Sequence, residues 1–267
     1  MITRQTLYST GMGAPLAAVG ATFGGGANAG WLAVGAAVFG LVSLLVAARA
    51  ANIDHRRLKR SHTLVAVVSG VSFGAYVLLL SGGGTVDGAA PGGGTVTLYW
   101  ARYADWLVTM PLLVAALGSV AGADREMLAS AVATTVFVVA TGIVAMLPVL
   151  GGYRYVWWAV ATLAVAGVGY FLGVGLRADA RGLDAGTTST VDTLATLLGV
   201  CWVSYPLWWF VGPGGAGVVS PVVGTAGVVG LDLLATVGFA LVLLRSPAVS
   251  DRATPGPTAG DQASRLT

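Results

Sequence analysis

The sequence predicts an all-α membrane protein, a bundle of seven transmembrane helices, and three observations carry that reading. Of its 267 residues 56% are apolar and only 9% charged, with mean hydropathy +0.82, whereas about a quarter of a soluble chain is charged. Seven apolar stretches each approach the roughly 20 residues that a helix needs to cross a bilayer. Short polar or Gly/Pro connections separate them, so successive helices run antiparallel.

The spans lie near residues 30–49, 62–81, 97–121, 127–147, 153–176, 190–211 and 221–245. Residues 1–29 form a weakly apolar stretch in which Ala27-Asn28-Ala29 has the small-residue pattern of a leader cleavage site; an extracellular tail or a removable leader is expected there. The first connection, "RAANIDHRRLKR", is a basic loop, and His55 and His62, in or beside it, are expected on a solvated surface rather than on a metal. The second, "SGGGTVDGAAPGGGT", supports a flexible or hairpin link. Pro111 and Pro206 are placed to bend the third and sixth spans. Ser220-Pro221 reads as a helix start. The transmembrane domain is thus residues 30–246, and the polar, Pro-containing residues 247–267 are expected to be a disordered cytoplasmic tail.

Eleven basic residues fall on one side of this topology: Arg49, Arg56, Arg57, Lys59, Arg60, Arg125, Arg177, Arg181, Arg245, Arg252 and Arg265. Two, Arg4 and Arg154, fall on the other, which predicts the N-terminus outside and the C-terminus in the cytoplasm of a plasma-membrane protein. The same clustering argues for topology and a lipid partner, against nucleic acid. Cys201 is the lone cysteine and offers no disulfide or metal site. "GPGGAG" at 212–217 has the spacing of a dinucleotide-binding loop, but a Trp-rich helical stretch precedes it where a strand is required. No catalytic triad, zinc or phosphate-loop pattern is present, so no enzyme activity is expected.

Three ionisable residues lie well inside spans: Arg102 and Asp105 in the third and Asp232 in the seventh. Charges at membrane depth are costly and mark functional sites. Arg102 and Asp105 are three apart and share a face, as do Asp232 and Thr236, four apart. If the two helices face each other, two carboxylates and a guanidinium share one pocket, with Arg102 compensating the acids. Trp202, Tyr205 and Trp209 fall on one helical face and can sandwich a flat apolar ligand. Tyr99, Tyr153, Tyr155 and Trp208 are expected in an interfacial aromatic belt.

"ARYADWLVTMPLL", "YRYVWWA", "WVSYPLWW" and "LDLLATVGFALVLLRS" resemble the third, fifth, sixth and seventh helices of the microbial (type 1) rhodopsins of haloarchaea, and the resemblance runs from about Trp31 to Ser246. It implies a seven-helix fold of the microbial rhodopsin type around retinal, bound as a protonated Schiff base to a seventh-helix lysine. It also implies Asp105 as primary counterion and proton acceptor, Asp232 as second counterion and Arg102 as their partner, with Tyr76 and Thr109 beside them. The implied retinal pocket comprises Trp106, Met110 and Leu113; Val138 and Gly142; Trp158, Ala161 and Thr162; Trp202, Tyr205, Pro206 and Trp209; and Ala235 with Thr236. As partners the family allows a homo-oligomer, dimer or trimer, and a membrane transducer.

The departures are as informative. The family's lysine, four residues after the seventh-helix Asp, is Thr236 here, and Lys59 in the first connection is the sole lysine. The proton-donor position of the pumps is Ala116, and the two proton-release positions are Gly214 and Gly224. Without the Schiff-base cation the cluster has one surplus negative charge, so Asp105 and Asp232 are expected to share one proton as a coupled pair. The function expected is a non-covalent retinoid-binding or light-independent opsin-related membrane protein, with covalent retinal absent. The alternatives are a sensory photoreceptor or light-driven proton translocator that regains colour on Thr236→Lys, one base from a Lys codon, and a proton or ion conduit.

Overall fold

The computed structural model describes residues 27–89 and 95–246. Of the expected leader or tail at residues 1–29, Ala27-Asn28-Ala29 opens the first helix, and the rest, like the expected C-terminal tail, lies outside the described residues. Among the described residues seven helices are long and apolar enough to span a membrane. They are α1 (Ala27–Ala51), α2 (Arg56–Leu80), α3 (Trp100–Ala121), α4 (Arg125–Ala145), α5 (Tyr153–Ala180), α6 (Ala185–Val211) and α7 (Pro221–Leu244). Between α2 and α3 lie β1 (Val86–Ala89) and β2 (Thr95–Leu98), an antiparallel pair in register from Val86 opposite Leu98 to Ala89 opposite Thr95. The second connection is therefore a hairpin, and it marks one end of the bundle; the α1–α2 turn with its arginines marks the other, basic end.

Four boundaries differ from the hydropathy reading, each for a local reason. The α2 helix starts at Arg56 rather than near 62, because the His55 ring accepts from Leu58 N–H at 3.5 Å and caps it. Charged residues lower hydropathy without lowering helix propensity. At Ala185 rather than 190, α6 begins behind Asp184, whose carboxylate accepts from Thr187 N–H (2.9 Å) and Thr187 Oγ1–H (2.7 Å). Thr97 and Leu98 belong to β2, so α3 begins at Trp100. Continuing to Ala180 instead of 176, α5 passes through a π-helical turn at Phe171–Gly175. The seventh span has a π turn as well, Leu234–Gly238, which contains Thr236 and alters the four-residue register assumed between it and Asp232. Elsewhere the sequence signals hold: Asp124 caps α4 through Glu126 and Met127 N–H, both at 2.8 Å, and Ser220 with Pro221 opens α7.

Leucines cover the outside: Leu44 and Leu163 are 72% and 74% exposed, as side chains are that meet lipid. The interior holds the polar groups, among them Ser61, Ser69, Ser72, Tyr76 and Thr135. His62, expected on a solvated surface, is one of these; it is fully buried, its Nδ1 2.8 Å from the Leu58 carbonyl oxygen, because the early start of α2 carries it into the bundle. His55 is exposed, as expected. Small residues set the closest approaches. The Tyr76 ring occupies the space a Cβ on Gly35 would need, and the Trp208 ring does the same over Gly227.

Candidate functional site

Four helices converge on one carboxylate. Asp232, in α7 and 4% exposed, accepts at Oδ2 from the Tyr76 hydroxyl of α2 (2.6 Å), and at Oδ1 from the Tyr205 hydroxyl of α6 (2.6 Å) and Trp106 Nε1–H of α3 (2.9 Å). Trp106 and Tyr205 also meet edge to face, ring centroids 5.0 Å apart. The second carboxylate, Asp105 in α3, is 3% exposed and accepts from the Ser72 hydroxyl of α2 at 3.0 and 3.2 Å. Ser72 and Tyr76 stand one turn apart on α2, a separation of about 5–6 Å between Cβ atoms, so one face of α2 hands a donor to each acid. Thr109 is buried beside Asp105, and its hydroxyl donates to the Asp105 backbone carbonyl at 2.9 Å.

Arg102 departs from expectation. It is buried, yet it lies within 4.0 Å of neither carboxylate; its guanidinium carbon sits 5.2 Å from the Tyr99 ring centroid, and its Nε and Nη2 have no hydrogen-bond partner among the described residues. Asp232 already receives three donors and Asp105 faces Ser72, so the acids turn to hydroxyls and an indole while the arginine turns toward the hairpin end. Among the described residues the ion pair within 4.0 Å is Arg177–Asp192, on the surface at 3.1 Å.

Beside the cluster a cavity of about 440 Å³ runs from the helix starts at the hairpin end into the middle of the bundle. Ten expected pocket residues line it: Trp106 and Met110 from α3, Val138 and Gly142 from α4, Trp158 and Ala161 from α5, and Trp202, Tyr205, Pro206 and Trp209 from α6. Trp158 and Trp209 stack at 6.4 Å with an 18° interplanar angle, and Trp158 Nε1–H donates to the Pro206 carbonyl at 3.0 Å. Four others do not reach the wall. Leu113 is packed into the core, the Thr162 hydroxyl folds back onto the Trp158 carbonyl at 2.8 Å, and the short side chains of Ala235 and Thr236 stay buried on the α7 π turn.

The cavity also has members that the sequence reading placed elsewhere. Tyr99 and Trp208, expected in the lipid belt, both line it, with Trp208 Nε1–H donating to the Gly224 carbonyl at 3.0 Å. Tyr153 and Tyr155 are exposed, as a belt requires. Gly214 and Gly224 line the hairpin end, where a Cβ on Gly214 would stand 3.1 Å from Trp209 Nε1 and one on Gly224 2.9 Å from Pro213 Cδ. Ala116 is fully buried near the basic end, its carbonyl accepting from the Ser61 hydroxyl at 3.1 Å. Ser72 was missed, although its place four residues before Tyr76 was the available signal.

Seven spans around a buried Asp/Asp cluster and an aromatic cavity find their match in the family model of the bacteriorhodopsin-like proteins, which covers residues 27–249. The chain belongs to the bacteriorhodopsin-like family. As a member of that microbial rhodopsin family, it is 38% identical to cruxrhodopsin-3 of Haloarcula vallismortis over 237 residues, covering 86% of this chain and 94% of that one. It is 36% identical to bacteriorhodopsin of Halobacterium salinarum over 235 residues, 87% and 89% of the two chains. Its fold matches the crystal structure of thermophilic rhodopsin from Rubrobacter xylanophilus at a TM-score of 0.77, with 34% identity and coverage of 84% and 98%. This rhodopsin-family chain is therefore a multi-pass membrane protein with haloarchaeal homologues.

Proposed function

We propose that this chain is an opsin-related membrane protein that binds a retinoid without a covalent bond, or works without light, rather than a light-driven pump. The single observation that carries the reading is the place of its one lysine. Lys59 is exposed in the first turn of α2 at the basic end, and the position four residues after Asp232 is a buried threonine. A hydroxyl cannot form an imine, so the attachment that defines the family's chemistry has no partner here.

The cavity fits the rest of such a ligand. About 440 Å³ lies within the roughly 300–1,000 Å³ of small-molecule pockets, and stacked Trp158 and Trp209 with Trp106 and Trp202 offer flat faces to a polyene. Retinal, when bound, supplies light absorption; the chain's own residues position it and exclude water. The two acids differ in their surroundings. Asp232, with three donors, has the surroundings of an ionised, acceptor-only carboxylate. Asp105, whose carboxylate accepts from Ser72 rather than from three donors, is the member of the pair that holds the shared proton. We place the hairpin end outside, on the charge asymmetry of the connections.

The test is reconstitution of purified protein with all-trans retinal. The reading expects a band resembling free retinal that is removed by washing, and a red-shifted band that resists hydroxylamine only after Thr236→Lys. A hydroxylamine-resistant, red-shifted band in the unaltered protein would overturn it. A visible pigment in Thr236→Lys that translocates protons or signals would show that the remaining machinery is that of the photoactive relatives.

A further inference from the structure

The cavity has a sign. Two guanidinium groups, Arg102 from α3 and Arg154 from α5, line it at the hairpin end, and no aspartate or glutamate among the described residues lines it anywhere. Arg102 is 8% exposed with Nε and Nη2 lacking partners, and neither acid of the cluster lies within 4.0 Å of it. Arg154 donates to the carbonyls of Gly214 and Gly215, lies 5.6 Å from the Trp209 ring centroid, and still has a buried Nε without a partner. The wall's remaining unpartnered buried polar atom is Trp202 Nε1. All of these are donors. A buried guanidinium N–H without an acceptor is costly, and a ligand that satisfies it best brings oxygen atoms with negative charge. Farther in, the lining side chains are apolar, Met110, Val138, Val139, Ala161 and Val165 among them.

We propose that the cavity is a site for a long apolar molecule ending in a carboxylate, its head on Arg102 and Arg154 and its tail along the tryptophans toward the bundle centre. This rests on the non-covalent reading above and deepens it: the preferred retinoid is the acid, not the aldehyde, and a fatty acid shares the same chemistry. Gly214 and Gly224 favour entry from the hairpin end, because neither puts a side chain over the mouth. Retinal would bring an aldehyde oxygen to this end but no negative charge.

The experiment measures quenching of the intrinsic tryptophan fluorescence of the full chain by all-trans-retinoic acid, retinol and retinal, with palmitic acid as competitor. Retinoic acid is expected to bind at least tenfold more tightly than retinol, about 1.4 kcal/mol. Arg102→Gln is expected to bring the two within about threefold, and Arg102→Lys to retain a preference for the acid. Arg154→Gln, at the mouth, is expected to lower the preference in a background where Arg102 is intact, and the helical circular dichroism of each variant confirms its fold. Displacement by palmitate with the same Arg102 dependence would identify a fatty-acid site. Its failure to displace retinoic acid would make the site specific for polyenes, and the carboxylate requirement would stand in both cases. Equal affinity for acid and alcohol, or an acid preference unchanged in Arg102→Gln, would overturn the proposal. Retinol and retinal binding without an acid preference would sink this inference alone; no binding of any retinoid would remove the reading on which it rests as well.

Discussion

Removing one hydroxyl from the donors of Asp232 separates a buried hydrogen-bond hub from a merely packed cluster. Tyr76 is fully buried and donates to Asp232 Oδ2 at 2.6 Å, so in Tyr76→Phe no water replaces the lost donor and the carboxylate keeps two of its three. A hydrogen bond to a charged group contributes about 1.5–3 kcal/mol, and in a chain of this size 1 kcal/mol moves the midpoint by about 2–4 °C. The expected fall in Tm, read by tryptophan fluorescence in detergent, is therefore about 3–12 °C. Tyr205 donates at the same 2.6 Å to Oδ1 but lines the cavity, where water can substitute, so Tyr205→Phe is expected to cost less than Tyr76→Phe. In an Asp232→Asn background the Tyr76→Phe effect is expected to shrink by at least half, because the charge that strengthened the bond is gone. A Tyr76→Phe midpoint within about 1 °C of the parent, or an effect undiminished by Asp232→Asn, would refute the hub.

Other consequences follow from the same geometry. Gly35→Ala places a methyl where the Tyr76 ring sits and is expected to cost about 1–3 kcal/mol in thermal unfolding, whereas Gly30→Ala, with nothing within 4 Å, is expected to be neutral or mildly stabilising. Gly142 lines the cavity with open space at its Cβ position; Gly142→Leu is expected to leave Tm unchanged or raised and to weaken retinol binding about tenfold or more in the fluorescence titration. An infrared spectrum is expected to contain one protonated carboxyl band from the acid pair, lost in Asp105→Asn; its persistence in that variant would assign the proton elsewhere.

The seven spans were legible because lipid imposes a length and an apolarity that few soluble helices share, and Asp105, Asp232 and the tryptophans stood out as costly or bulky residues at depth. What hydropathy could not resolve was anything set by short-range capping. The charged first turn of α2 looked like loop, and His62 was assigned to solvent with it, although a His55 cap carries the helix outward and buries the ring. Pairing was likewise hidden. Arg102 and Asp105 share a helical face, yet hydroxyl donors on α2 and α6 and an indole on α3 satisfy the acids, leaving the guanidinium to the cavity. Belt and pocket aromatics have the same composition, so Tyr99 and Trp208 were separable from Tyr153 only once the helix rotations were known. The α7 π turn, which carries Thr236, leaves no composition signal at all.

The most direct measurement is whether retinal stays with the unfolded polypeptide. Incubated with all-trans retinal, trapped with borohydride to fix any imine and then denatured, the unaltered chain is expected to release all chromophore and Thr236→Lys to retain about one per chain. Chromophore retained by the unaltered chain on any residue within the bundle would contradict the account.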